Sequence, residues 1–203
     1  VLSLLFIGSV VAIAATFSAA RSDYATGVGF SPEQPVPFSH AHHAGDLRID
    51  CRYCHTSVET SADAGMPATE VCMTCHSQIW TNARMLAPVR ESLANRQPLE
   101  WQRVNKLADF AFFNHAIHVN KGVACVTCHG PIGDMPLTRG AHPMHMGWCL
   151  GCHRNPAPNL VPPADVFDPK ADPAREVAAL HTVLMSKGNI YPGRLTDCYV
   201  CHR

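Results

Sequence analysis

The chain has 203 residues, with 16 basic and 16 acidic side chains and a formal net charge of zero. That balance gives no basic footprint for nucleic acid and no acidic tail, which disfavours both partner classes. Ten cysteines, thirteen histidines and sixteen prolines stand beside only 7% aromatic and 16% charged residues, too few large apolar side chains for a protein-only core of this length. Something other than side chains must fill the interior.

Residues 1–20 carry no charge, and a helix of that length, rising about 1.5 Å per residue, spans roughly the 30 Å hydrocarbon layer of a membrane. Ser18-Ala19-Ala20 also resembles a signal-peptide cleavage site, but the apolar run exceeds an ordinary signal core. The expectation is a retained transmembrane anchor, with a linker over 21–36. Residues 37–97 form a first module: Phe38-x-His40-x-x-His43, then Cys51-Arg52-Tyr53-Cys54-His55 and Cys72-Met73-Thr74-Cys75-His76. Apolar residues from Ser77 to Gln97 recur at helical spacing, with Pro88 expected to break or kink the helix.

A second module, 98–153, repeats the first. Leu99 to Val104 alternates like a short strand. Phe113-x-His115-x-x-His118 precedes Cys125-Val126-Thr127-Cys128-His129 and Cys149-Leu150-Gly151-Cys152-His153, and Met66-Pro67-Ala68-Thr69 has its counterpart in Met135-Pro136-Leu137-Thr138. Residues 154–203 hold a fifth motif, Cys198-Tyr199-Val200-Cys201-His202. Before it, six prolines between 155 and 173 suggest an extended linker wrapping the surface, and Ala174 to Lys187 suggests a helix closed by Gly188.

Two thiols three residues apart on one helical turn can each form a thioether to a haem vinyl group, and the following histidine then points at the iron. A disulfide framework or a zinc ribbon would consume paired cysteines but gives no reason for a histidine after every pair. Five motifs with no cysteine left over therefore imply five covalently bound c-type haems, with thioethers from Cys51, Cys54, Cys72, Cys75, Cys125, Cys128, Cys149, Cys152, Cys198 and Cys201. His55, His76, His129, His153 and His202 are the proximal ligands. The fold class that follows is a multihaem cytochrome c: mostly irregular, with short α-helices, a haem core, little β-structure and one N-terminal transmembrane helix.

Five six-coordinate irons need five more ligands. The repeated Phe-x-His-x-x-His places two imidazoles on one helical face, making His40, His43, His115 and His118 the distal ligands, one for the local haem and one for a neighbour. The fifth distal position falls among Met135, His145 and Met146, with His142 and Met144 nearby; a methionine there would raise the potential of its haem relative to two histidines. His42 and His181 read as ordinary surface or hydrogen-bonded histidines. Covalent haem attachment takes place outside the bacterial inner membrane, so the domain after Arg21 is expected on the periplasmic side of that cytoplasmic membrane, held by its N-terminal single-pass anchor.

The Phe-x-His-x-x-His pattern resembles the class III multihaem cytochromes c. Over roughly residues 35–203, Pro37-Phe38-Ser39-His40, Leu99-Glu100-Trp101-Gln102-Arg103-Val104 leading into Phe113-Asn114-His115, and Met146-Gly147-Trp148-Cys149 resemble the pentahaem membrane-anchored cytochrome subunit of alternative complex III. That resemblance implies a respiratory-chain, electron-transfer role without catalysis of its own. The complex oxidises menaquinol, and the pentahaem subunit takes electrons from a molybdopterin-enzyme-like iron–sulfur subunit and passes them towards a monohaem cytochrome c subunit or terminal acceptor, beside polytopic quinone-binding subunits. The alternatives are an autonomous membrane-anchored quinol dehydrogenase and a multihaem reductase; the latter would need an iron with an open distal position and acid/base groups beside it.

Overall fold

The computed structural model describes residues 1–175 and 178–202. Helix α1 (Leu2–Ala20) has 19 residues, none buried, and among the described residues it alone is long and apolar enough to cross a membrane. It ends where the Arg21 guanidinium sits over the Phe17 ring at 3.7 Å. Ser22 caps the single turn α2 (Asp23–Thr26), which Gly27 closes in the left-handed region at φ 74°.

The segment after α2 is fastened to residues 138–140. Gly29 N–H donates to the Gly140 carbonyl (2.8 Å), Gly140 N–H donates to Phe30 (3.1 Å), and the Ser31 hydroxyl donates to the Thr138 carbonyl (2.7 Å). A Cβ on Gly140 would meet the Gly27 carbonyl oxygen at 2.7 Å. This close approach is why the second module can hold the chain that leaves α1.

Among the described residues eight more short helices follow: α3 (Cys51–Cys54), α4 (Thr69–His76), α5 (Ala87–Asn95), α6 (His115–Asn120), α7 (Cys125–His129), α8 (Met146–Arg154), α9 (Ala178–Lys187) and α10 (Cys198–Cys201). All five Cys-x-x-Cys pairs lie on such helices, so each pair of thiols shares a face one turn apart. Polar residues start several of them. The Asp50 carboxylate accepts from Arg52 N–H (2.8 Å) at α3, and the Asn114 amide oxygen accepts from Ile117 N–H (3.1 Å) at α6. Residues Ala41–Asp46 form a wide π-helical turn instead.

Apolar packing is sparse. Val36, Leu86 and Val89 make one small cluster with Leu99 and Trp101; Ala124, Val161 and Val166 make another with Val119, Val126 and Phe167. A tight crossing joins the two modules, where a Cβ on Gly45 would strike the Gly133 carbonyl oxygen and one on Gly133 would meet the Pro169 side chain at 2.6 Å.

Three sequence expectations are corrected. Pro88 does not break a long helix: it lies in the first turn of α5, where its missing N–H costs nothing. Leu99 to Val104 forms no strand; the Gln34 side chain takes the place of a partner, donating to the Gln102 carbonyl and accepting from its N–H, both at 2.9 Å. The proline-rich stretch does not merely wrap the surface, since Leu160, Val161 and Val166 are about 1% exposed and held among short 3₁₀ turns. Its Val166 carbonyl accepts from Cys125 N–H (3.1 Å) and its Phe167 carbonyl from the Cys51 thiol (3.5 Å), so the stretch is a strap across both modules. Of the helix expected from Ala174, the structure describes Ala178–Lys187, and Pro173–Arg175 form a 3₁₀ turn instead; residues 176 and 177 lie outside the described residues.

Candidate haem-iron ligands

The two Phe-x-His-x-x-His segments fold alike around their phenylalanine. Phe38 stands edge-on to His40 (4.9 Å, 84°) and stacks on His43 (4.4 Å, 24°). Phe113 stands edge-on to His115 (4.7 Å, 89°) and stacks on His118 (4.4 Å, 25°). The second histidine of each pair donates from Nδ1 to the carbonyl four residues back, His43 to Ser39 (2.9 Å) and His118 to Asn114 (2.7 Å). The first reaches into the other module: His40 Nδ1 meets the Thr138 hydroxyl, and His115 Nδ1 donates to the Ala62 carbonyl, each at 2.9 Å.

The motif histidines are held the same way. Nδ1–H of His55 donates to Gly65 (2.7 Å), of His76 to Ile79 (3.2 Å), of His153 to Leu195 (2.8 Å) and of His202 to Phe110 (3.0 Å), all backbone carbonyls. His129 Nδ1 lies 3.0 Å from the Asn105 side-chain amide, whose oxygen accepts there when the amide is turned over. A proton fixed on Nδ1 leaves the lone pair on Nε2, the state in which imidazole binds a metal.

Three pairs of rings face each other. His43 and His76 are 6.2 Å apart between ring centres, His115 and His129 6.4 Å, and His118 and His153 6.1 Å. Two metal–nitrogen bonds of about 2 Å, with roughly 1.2 Å from each nitrogen to its ring centre, give about 6.3 Å. The residues therefore fit one iron between each pair. His40 lies near His55, and burial, His55, His129 and His43, in that order, push its pKa down to about 4. Burial followed by His115, His55 and His142 lowers His129 likewise to about 4. Both rings are kept neutral at physiological pH, as ligands must be.

The remaining histidines behave otherwise. His145 caps α8, its Nδ1 accepting from Trp148 N–H (3.0 Å), which puts its proton on Nε2. His142 stacks on Trp148 (5.1 Å, 22°), and exposed His42 lies 3.7 Å from Asp46. His181 has a buried Nε2 with no hydrogen-bond partner. The methionines also separate: Met135 is fully buried, whereas its repeat counterpart Met66 and the α8 residue Met146 are 60% and 66% exposed. Among the described residues no three histidine, cysteine, aspartate or glutamate side chains converge as a protein-only metal cage requires, and none of the ten cysteines pairs with another in a disulfide. Sequence reasoning missed the Nδ1 acceptors, because most of them are backbone carbonyls that carry no residue signature.

Residues 16–87 match the class III cytochrome c family, a span that takes in the first Phe-x-His-x-x-His pair and the first two Cys-x-x-Cys-His motifs. The chain is also 35% identical over 101 residues to the menaquinone reductase multihaem cytochrome c subunit of Nitratidesulfovibrio vulgaris, an alignment covering 48% of this chain and 46% of that protein. The chain thus spans about half the length of that relative. Residues 16–87 are thus similar to a class III cytochrome c, and the same Cys-x-x-Cys-His helices recur through the rest of the chain.

Proposed function

We propose that the chain is the electron-transfer subunit of a quinone-linked respiratory complex, carrying five covalent c-type haems and held by α1 in the bacterial inner membrane with its remaining residues on the periplasmic side. The observation that carries this reading is the set of facing imidazoles at 6.1–6.4 Å, because iron with two strong axial ligands exchanges electrons and leaves no position for substrate. The repeat extends the pairing to His40 and His55, as His115 stands to His129. Bound haem supplies the one-electron couple; the chain's residues hold it through two thioethers, orient each imidazole through Nδ1, and exclude water around His40 and His129.

For the fifth site, Met146 is the best placed of the three candidates. Met135 is buried beside Gly130, and His145 has its Nδ1 committed to the α8 cap. Met146 lies one turn before Cys149, whose thiol neighbours Cys201 of the fifth motif. A histidine–methionine site would have the highest potential of the five.

The relative is named for menaquinone reduction, and the resemblance to alternative complex III implies menaquinol oxidation. Both put a haem chain between a quinone module and a protein partner. In the direction we favour, electrons pass from an iron–sulfur subunit to a monohaem cytochrome or terminal acceptor. The test is gentle purification from membranes, with intact mass, redox-poised spectra and identification of copurifying subunits. Five haems, low-spin spectra and copurifying iron–sulfur and polytopic quinone-binding subunits are expected. An isolated protein reduced directly by menaquinol would mark an autonomous dehydrogenase instead, and a high-spin haem that binds small ligands would mark a reductase.

A further inference from the structure

The order of the motifs in space differs from their order in sequence. The first and second meet where the Tyr53 hydroxyl bonds the Thr74 hydroxyl at 2.7 Å. The first and third meet under the strap, Cys51 on the Phe167 carbonyl and Cys125 N–H on the Val166 carbonyl. The third and fourth share α6, where His115 faces His129 and His118, one turn on, faces His153. The fourth and fifth meet where His153 donates to the Leu195 carbonyl (2.8 Å), two residues before the Asp197 that opens α10.

From these contacts we infer that the five haem sites form one unbranched row in the order second, first, third, fourth, fifth, with the second and fifth at its ends. The inference rests on the five-haem reading above and adds the path through it. An independent feature agrees: of the ten cysteines, the two exposed ones are Cys75 and Cys198, one in each end motif. The chain from α1 is fastened first at residues 138–140, where the Thr138 hydroxyl holds His40 beside the first motif, and it then packs Val36 into the cluster that holds Cys72 and Met73 of the second. The fifth motif is the end clear of the tether, and an external redox protein reaches the row first there.

The test uses the full holoprotein in detergent. Cys72→Ala with Cys75→Ala removes the second haem, and Cys198→Ala with Cys201→Ala removes the fifth; intact mass counts those remaining. Haem-methyl NMR during redox titration then reads which neighbours change midpoint potential. Loss of the second haem is expected to shift the first alone, and loss of the fifth to shift the fourth alone. A shift of the third haem on loss of the second, as a row in sequence order requires, overturns the inference. Where the double variant does not accumulate, His43→Met keeps the covalent haem and raises its potential, and the same single neighbour must respond. Fewer than five haems by mass in the unmodified chain would overturn the underlying five-haem reading, a result separate from the pattern of shifts.

Discussion

His118→Ala removes one partner of a facing imidazole pair and two packing interactions with it. The ring stacks on Phe113 at 4.4 Å, worth about 0.5–1.5 kcal/mol, and its Nδ1–H donates to Asn114 at 2.7 Å, worth about 1 kcal/mol net. Together these come to about 2 kcal/mol, or a fall in Tm of about 4–8 °C for a chain of this size. His153 loses its opposite ring, so one haem in the holoprotein should turn high-spin in electronic and EPR spectra while the others stay low-spin. His42→Ala is the control: its ring is half exposed, 3.7 Å from Asp46 and edge-on to His43 at 5.4 Å, and it belongs to no facing pair, so spin state should not change and stability should move by less than about 0.5 kcal/mol. A fully low-spin spectrum with an unchanged Tm in the His118 variant would refute the ligand geometry.

Gly45→Ala drives a methyl group into the Gly133 carbonyl and should destabilise the chain by about 1–3 kcal/mol in denaturant titration; wild-type stability would show that the modules do not cross there. Ser92→Ala strips a buried Thr69 hydroxyl of its 2.6 Å partner and should cost about 1–3 kcal/mol, read as a lower denaturation midpoint. Asp50→Ala removes the cap of α3, with an expected loss of about 1 kcal/mol and slower thioether formation at the first motif, measured by mass.

The haem motifs and the Phe-x-His-x-x-His pairs were legible because their chemistry is local. One helical turn sets the spacing of two thiols or two imidazoles, whatever surrounds it. The apolar helix α1 was legible for the same reason. The strap was not: Pro162, Pro163 and Pro169 suggest a loop in any sequence, and only the structure packs Val161 and Val166 against Ala124, Val119 and Val126 of the second module. Leu99 to Val104 has strand-like alternation, yet Gln34 and the Val36 cluster satisfy it through a side-chain amide and through Trp101 packing. The Met66 and Met135 repeat misled in another way, since equal positions in sequence end up exposed in one module and buried in the other.

The strap also bears on the order in which the protein is put together. Val166 and Phe167 clasp Cys125 and Cys51, residues made well before them, and a chain grows from its N-terminus. The first and third motifs therefore emerge while nothing yet lies across them, and their thiols are open to the attachment machinery until the later residues arrive. Closing the clasp then buries Leu160, Val161 and Val166 and leaves Cys51 and Cys125 half-buried. In this fold, the first and third motifs are most open to attachment before the strap is made.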